Sequence, residues 1–207
     1  MSEQILLGQR GYGHRSPKKS MIIVVEGASE KKYFSRFRTP DSLITIKKMI
    51  EPEDRTAIGM IKRCMEIKKS VLHTDELIAV FDADQNSLKN IEDAVEPCLK
   101  HDIRMYISNP SFEFWLLLHF EDNRSTYIQK ELEKELEKQT KVKYEKSEGI
   151  NKFINDEDVK DAITRSKKLL PDGDPVMCKK TLPSTCLHIL VEKLIKKRQV
   201  NSKKNRT

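Results

Sequence analysis

The sequence lacks the features that mark membrane-spanning and secreted proteins. Apolar runs such as Phe114–Leu118 are far shorter than the ~20 residues that a helix needs to cross a bilayer. Residues 1–20 hold no apolar block of the kind found in a secretory signal. We therefore expect a cytoplasmic protein that does not associate with membranes.

Cysteine and aromatic residues are also scarce. None of the four cysteines forms a CxxC pair or has zinc-ribbon spacing, which predicts reduced, structural thiols. Aromatic residues make up 6% of the chain and lie mainly at predicted core positions. This pattern argues against a platform that stacks the bases of a single strand, so nucleic-acid binding would depend on phosphate charge.

Positive charge is in excess, with 39 basic against 32 acidic residues and a net charge of +7. Much of the excess lies near the two ends, at Arg10–Lys19 and Lys196–Arg206. Such ends attract polyanions, although similar segments also occur as disordered tails that keep a protein soluble. We predict a flexible basic arm over residues 1–20 and a basic tail over residues 201–207.

Apolar, β-branched runs alternate with segments of helical periodicity from residue 21 to residue 122. This alternation predicts an α/β core with a mainly parallel sheet flanked by helices. The predicted strands are Met21–Gly27, Leu43–Met49 at an edge, Leu77–Phe81 and Ile103–Ile107. The predicted helices are Ala28–Phe37, Glu53–Val71, Leu88–Lys100 interrupted at Pro97, and the buried Ser111–Phe120.

The pattern changes after residue 122, where narrow apolar stripes run among Glu and Lys residues. We predict a helical C-terminal extension over residues 123–200, packed on the core. Its predicted elements are a helix at Ser125–Thr140, a helix at Asp156–Leu170 capped by Asp156, a loop at Pro171–Pro183 and a closing helix at Ser184–Arg198.

Carboxylates follow two of the predicted buried strands. Glu26 ends the first run, and Asp82 and Asp84 end the run that begins at Leu77. Ligands gather at the carboxyl ends of parallel strands, so these three side chains are expected to meet at one edge of the sheet. Crowded carboxylates repel one another unless a cation neutralises them, and oxygen ligands suit Mg²⁺. We expect Asp82 and Asp84 to bind metal, with Glu26 as a further ligand or as a general acid/base.

Four other residues are candidates with competing interpretations. Glu113 is either a first-turn residue favoured by the helix dipole or a further catalytic residue of the site. Lys179 and Lys180 either bind substrate phosphate or lie on solvated surface. His119, on the predicted buried helix, is interpreted as a hydrogen-bonded core histidine rather than a catalytic base.

Three segments together resemble the RloB-like family, whose members are Toprim-fold proteins encoded beside restriction–modification and phage-defence loci. They are VVEGASEKKYF (24–34), SNPSFEFWLLLHF (108–120) and LPSTCLHILVEKL (182–194), and Glu26–Gly27 with Asp82–Ala83–Asp84 resembles the Toprim signature. The resemblance runs from about Ile22 to Leu194. It implies a Toprim-like core and a metal-dependent nuclease with Mg²⁺ or Mn²⁺ at Asp82 and Asp84 and with Glu26 as general acid/base.

The leading hypothesis is therefore a metal-dependent phosphodiesterase that acts on DNA or RNA in phage defence. The alternative is a non-catalytic adaptor whose helical end, Ser125–Arg198, binds an ABC-type ATPase. A phosphoacceptor at Asp82 is a weaker reading, because Glu26–Gly27 and the NPxFE segment have no role in it. The sequence leaves the oligomeric state open, and a homo-oligomer is one option.

Overall fold

The computed structural model describes residues 19–39, 44–71, 75–146 and 148–204, and these form an α/β fold. A five-stranded sheet has the order β2-β1-β3-β4-β5. The first four strands of that order are parallel, and β5 runs antiparallel to β4. The strands are β1 Lys19–Val25, β2 Ile44–Ile50, β3 Asp75–Asp82, β4 Ile103–Asn109 and β5 Ser184–Thr185. The predicted mainly parallel α/β sheet is confirmed, and it is consistent with a Toprim-like fold.

Eight α-helices flank the sheet in the described residues. They are α1 Ala28–Ser35, α2 Ala57–Lys68, α3 Leu88–Lys100, α4 Phe112–Leu117, α5 Gln129–Thr140, α6 Asp156–Leu169, α7 Pro175–Lys180 and α8 Leu187–Lys204, with a 3₁₀ turn at Asn151–Phe153. None of the helices in this part of the chain is both long enough and apolar enough to span a membrane.

The faces of the sheet follow from strand order and the right-handedness of β-α-β connections. The chain moves from β1 to β2 in one direction along the sheet, and from β2 through β3 to β4 in the other. Right-handed crossovers therefore put α1 on one face and both α2 and α3 on the opposite face. Helix α4 joins α1, because the ring of Phe112 packs edge-on against the ring of Tyr33 with centroids 5.7 Å apart.

The central strands β1 and β3 are apolar throughout because helices cover both of their faces. Residues Met21–Val25 and Leu77–Phe81 are almost completely buried. Side chains from the C-terminal helices join the same apolar core, among them Leu132, Val159 and Leu190. The sheet also takes β5 from the C-terminal part of the chain, so that part completes the core as well as covering it.

Four boundaries differ from the predictions for local reasons. Pro97 lies inside α3 without interrupting it, and its carbonyl still accepts the N–H of His101 at 3.0 Å. Asn155, rather than Asp156, caps α6 by accepting the N–H groups of residues 157 and 158. The predicted loop at 171–183 contains α7, which Asp174 caps. The closing helix begins at Leu187, since the two residues of β5 pair with β4.

Only parts of the two predicted tails lie in the described residues. Strand β1 begins at Lys19, and residues 1–18 of the predicted basic arm lie outside the described residues. Helix α8 runs to Lys204, so the backbone of the predicted tail is helical up to that residue. Leu43, the predicted start of the edge strand, and residues 205–207 are also outside the described part.

The four cysteines are all free and buried, in agreement with the predicted structural thiols. The Cys186 thiol accepts the N–H of Ile107 at 3.0 Å, and the Cys178 thiol lies 3.5 Å from the carbonyl oxygen of the same residue. Burial raises the pKa of Cys186 well above its ordinary value. These thiols therefore belong to the packing between β4 and the C-terminal elements.

Candidate functional site at the carboxyl edge of the sheet

Glu26 and Asp82 meet at the carboxyl edge of the sheet. Glu26 follows β1 directly, Asp82 is the last residue of β3, and the two strands are parallel neighbours. The backbone N–H of Asp82 donates to Glu26 Oε2 at 2.8 Å. The structure therefore brings together two of the three carboxylates expected at this edge, and a hydrogen bond fixes their relative position.

The Asp82–Asp84 turn is attached to the end of β4. The N–H of Ala83 donates to the Ser108 carbonyl at 2.8 Å, and the N–H of Asp84 donates to the Pro110 carbonyl at 3.0 Å. Asp82 is 8% exposed, whereas Asp84 lies in solvent. The two aspartates thus differ in surroundings, because Asp82 is buried at the edge of the sheet and Asp84 is at the protein surface.

Glu113 reaches the same place from the first turn of α4. The N–H of Phe112 donates to Asp82 Oδ1 at 2.8 Å, which sets the start of that helix against β3. Glu113 is 1% exposed, and its Oε2 accepts the hydroxyl of Ser111 at 2.9 Å. Glu113 occupies the first turn of α4 and also lies at the carboxylate edge, so its position is compatible with either interpretation.

Glu30 is a further carboxylate of this edge that the sequence interpretation missed. It lies on α1, is 3% exposed, and its pKa is raised to about 8 by burial first and then by Glu113 and Glu26. A signal was available in the sequence. Glu30 precedes Tyr33 and Phe34 by three and four residues, so it shares their buried helix face. We call Glu26, Glu30, Asp82, Asp84 and Glu113 the carboxylate cluster.

Mutual repulsion and burial both disfavour ionisation within the carboxylate cluster. Burial raises the pKa of Asp82 well above its ordinary value, and the charges of Glu30, Glu26, Glu113 and Asp84 raise it further. Burial also raises the pKa of Glu26, and Asp84 adds to that effect. The fold therefore holds several carboxylates close together at a cost in free energy, which a bound cation would lower.

The two candidate lysines have different places. Lys179, at the end of α7, donates from Nζ to the Ala83 carbonyl at 2.6 Å and so reaches the Asp82–Asp84 turn. The Lys180 ammonium instead lies 3.6 Å from Glu92 Oε1 on α3. Lys179 is thus within the candidate site, and Lys180 is on the surface beside it.

Asn109 fixes the end of α7 that carries Lys179. Its Nδ2 lies 3.0, 3.0 and 3.1 Å from the carbonyl oxygens of Cys178, Lys179 and Thr181, and its two hydrogens are shared among these three acceptors. These carbonyls lie at the end of α7 and just after it, where few backbone N–H groups are left to pair with them. Asn109 therefore positions the backbone from which Lys179 extends.

Two further side chains of the site come from the segment after α5, which has no helical or strand period. The Tyr144 hydroxyl lies 2.8 Å from Ser29 Oγ and donates to Glu113 Oε1 at 3.0 Å. Lys146 Nζ lies 3.4 Å from that same Glu113 oxygen. Sequence reasoning missed both residues, because nothing in an irregular segment indicates which of its side chains turns towards the sheet.

His119 lies apart from the carboxylate cluster, in the aromatic contact between α1 and α4. Its Nδ1 faces the Trp115 carbonyl at 3.0 Å and must carry the proton there, so Nε2 accepts the Tyr33 hydroxyl at 3.0 Å. Burial lowers the pKa of His119 to about 3. It is a neutral core histidine, as expected, and Trp115 is completely buried beside it.

The carboxylate cluster has the donor chemistry of a site for a hard cation, since every candidate ligand is a carboxylate oxygen. Across the described residues, no three Asp, Glu, His or Cys side chains are grouped so as to hold a metal ion. Mg²⁺, however, commonly takes only one or two protein carboxylates and keeps waters and substrate phosphate as its other ligands. Two oxygens of the cluster are open to such an ion, since Asp82 Oδ2 and Glu26 Oε1 have no hydrogen-bond partner in the part of the chain that the structure describes.

The chain belongs to the RloB-like protein family, because the model of that family matches residues 21–194. The match covers both the sheet and the C-terminal helices, and it includes every residue of the carboxylate cluster as well as Tyr144, Lys146 and Lys179. No curated protein and no solved structure matches the chain.

Proposed function

We propose that the protein is a metal-dependent phosphodiesterase that cleaves nucleic acid, with its active centre at the carboxylate cluster. The observation that carries the proposal is the convergence of Glu26, Asp82 and Glu113 from three separate segments, linked by the Asp82–Glu26 and Phe112–Asp82 hydrogen bonds. The proposed role in phage defence rests on the resemblance described above, which implies proteins encoded beside restriction–modification and phage-defence loci.

Asp82 and Asp84 would hold Mg²⁺ or Mn²⁺ in this proposal. The bound ion would supply Lewis-acid polarisation of the phosphate and lower the pKa of a water molecule. Asp82 keeps Oδ2 for this purpose, because Oδ1 is engaged by the backbone of Phe112. The exposed position of Asp84 puts the second carboxylate where substrate and solvent can reach it.

Glu26 would move a proton during cleavage. One of its oxygens is held by the backbone of Asp82, so the side chain has a fixed direction. Burial raises the pKa of Glu26 towards neutral pH, and a general acid/base works best when its pKa lies near the working pH. Glu30, with a pKa raised to about 8, is a second group of the cluster that can carry a proton at neutral pH.

Lys179 would bind the substrate phosphate. Its ammonium already lies at the Ala83 carbonyl between the two aspartates, and two of its three donors remain for phosphate oxygens. Positive charge at this point stabilises the negative charge that grows on phosphate oxygens in the transition state.

The test is cleavage of labelled DNA, RNA and tRNA by the purified full chain with Mg²⁺ or Mn²⁺ and with EDTA. Glu26→Gln and Asp82→Asn are each expected to lower kcat by at least about 100-fold. Asp172→Asn, which changes an exposed aspartate after α6, is the matched control. Equal cleavage by the two site variants and the control would refute the proposal.

Mg²⁺ binding to the same proteins, measured by calorimetry, separates the proposal from the adaptor alternative. The nuclease requires Mg²⁺ binding that Asp82→Asn weakens. A chain that binds no Mg²⁺ and cleaves nothing, yet forms a tight complex with a neighbouring ABC-type ATPase, would instead support an adaptor.

A further inference from the structure

The segment after α5 is held over the carboxylate cluster by a buried tyrosine. Tyr144 is 9% exposed, and its hydroxyl contacts Ser29 and Glu113 as described above. Its backbone N–H also donates to Glu137 Oε1 at 3.0 Å, which ties the segment back to α5. The position of the residues that follow Tyr144 is therefore fixed from two sides.

Lys146 follows two residues later, at the boundary between the cluster and solvent. Its side chain is 47% exposed, whereas that of Glu113 is 1% exposed. Burial by itself would lower the pKa of Lys146, but the facing carboxylates of Glu113 and Asp82 raise it above its ordinary value. The charge of Lys146 also acts on Glu26 and Glu30, so this ammonium lies near most of the carboxylate cluster.

Glu113 does not depend on Lys146 for its hydrogen bonds. It already accepts the hydroxyls of Ser111 and Tyr144, at 2.9 and 3.0 Å. The 3.4 Å separation between Lys146 and Glu113 is longer than a charge-assisted hydrogen bond, which is about 2.7–2.9 Å. A long, half-exposed ion pair contributes little to stability, and an ammonium has three donors. Lys146 therefore keeps most of its binding capacity for another partner.

Lys146 and Lys179 approach the cluster from opposite faces of the sheet. Glu113 and Ser29, which the segment 144–146 contacts, belong to α4 and α1 on one face. Lys179 belongs to α7, which packs against α3 on the other face. The scissile phosphate of a substrate bound at the carboxylate edge would thus have one lysine on each side.

We infer that Lys146 is a second substrate-phosphate ligand, which forms with Lys179 a two-sided clamp on the phosphodiester at the carboxylate cluster, and that Tyr144 is its positioning residue. The inference rests on the proposed function. Its physical basis is charge: a phosphodiester beside several carboxylates is repelled, and lysines on both sides offset that repulsion better than Lys179 alone.

The matched variants are Lys146→Met, Lys146→Arg and Lys143→Met in the full chain. Lys143 lies in the same segment, is 81% exposed and pairs with Glu145 at 3.6 Å, so its loss controls for general charge. Lys146→Met is expected to lower kcat/KM for a labelled oligonucleotide by about 10- to 100-fold, the value of a hydrogen bond to a charged group. Lys146→Arg should retain most of the activity, and Lys143→Met all of it.

Binding provides a readout that does not require turnover. Affinity for the same single-stranded oligonucleotide is measured by fluorescence anisotropy at several KCl concentrations, with Ca²⁺ in place of Mg²⁺. Loss of one phosphate contact lowers the slope of log Kd against log salt concentration by about 0.7. We expect this change for Lys146→Met, and no change for Lys143→Met.

Tyr144→Phe tests the positioning role, since it keeps the ring and removes only the hydroxyl. It is expected to lower kcat/KM by a smaller factor than Lys146→Met. Adding it to Lys146→Met should produce no further loss, because the hydroxyl acts through the lysine. A full further loss in the double variant would contradict the positioning role.

The outcomes distinguish this inference from the proposed function. If the wild-type chain cleaves no nucleic acid with Mg²⁺ or Mn²⁺, the proposed function fails and the clamp fails with it. If the wild type cleaves and Lys146→Met matches Lys143→Met in kcat/KM and in salt slope, only the clamp is overturned. Lys146 would then be a surface counter-ion of Glu113.

Discussion

Replacing Glu30 by glutamine is expected to stabilise the metal-free protein, and to do so more at pH 8 than at pH 5. Glu30 is 3% exposed, and its pKa is raised to about 8 from an ordinary 4.5. Burial is the main cause, and the neighbouring carboxylates of Glu113 and Glu26 add to it. Glutamine has nearly the same shape but no ionisation, so the variant removes the free-energy cost of this group.

The sign and size of the effect follow from proton linkage. Between pH 4.5 and pH 8 the folded protein holds a proton on Glu30 that the unfolded chain releases, so stability falls as pH rises through this interval. Below pH 4.5 Glu30 is protonated in both the folded and the unfolded protein, and above pH 8 it is ionised in both. Each pKa unit corresponds to about 1.4 kcal/mol. The cost to the wild type therefore grows by up to about 3 kcal/mol between pH 5 and pH 8.

Urea denaturation of the full chain with EDTA, at pH 5 and at pH 8, measures this cost. The free energy of unfolding of Glu30→Gln minus that of the wild type should rise by about 3 kcal/mol between the two pH values. Glu96→Gln, on the exposed side of α3, controls for the loss of a surface carboxylate. An equal gain at both pH values would refute the reasoning, because it would mean that Glu30 is ionised alike in both states.

Three other changes test further parts of the structure by urea denaturation. Asn109→Ala removes the donor of the Lys179 carbonyl, while the carbonyls of Cys178 and Thr181 keep the Ser184 hydroxyl, so the change should cost about 1 to 3 kcal/mol. It should also lower cleavage under conditions where the variant is fully folded, because Lys179 loses part of its support. The pKa of His119 is lowered to about 3, so the stability that the neutral ring contributes is fully present above pH 6.5 and is lost as pH falls towards 3. The free energy of unfolding of His119→Gln should therefore fall less than that of the wild type between pH 6.5 and pH 4. Gly173→Ala should cost about 1 to 3 kcal/mol, since Gly173 has φ +59° and an added Cβ would lie 2.2 Å from Ile189 Cδ1; an unchanged midpoint would contradict the stated strain.

The meeting of Glu26 and Asp82 was predictable because two simple rules determine it. Apolar runs with helical segments between them indicate parallel strands, and parallel strands end at the same edge. A carboxylate directly after each run must then lie at that edge. No knowledge of side-chain packing is needed, which is why these two positions could be assigned from the sequence.

The site residues that could not be assigned from the sequence are placed by tertiary contacts and not by a helical or strand period. Helix α7 has six residues, too few for a pattern, so the sequence could not separate Lys179 at the site from Lys180 on the surface. Tyr144 and Lys146 come from an irregular segment whose course depends on buried hydrogen bonds to α1 and α4. Glu30 is the exception, since its place on the apolar face of α1 could have been read from spacing alone.

The segment 108–113 explains how one short stretch of chain can organise the whole site. Its backbone holds the Asp82–Asp84 turn through the carbonyls of Ser108 and Pro110, and it holds the Asp82 carboxylate through the N–H of Phe112. Its side chains then extend in two directions, since Asn109 supports the helix of Lys179 and Glu113 meets Tyr144 and Lys146. A change in the backbone of this segment would therefore move acids and lysines together. For this reason we expect substitutions within it to affect metal binding and substrate binding jointly, whereas changes at Lys146 should affect substrate binding alone.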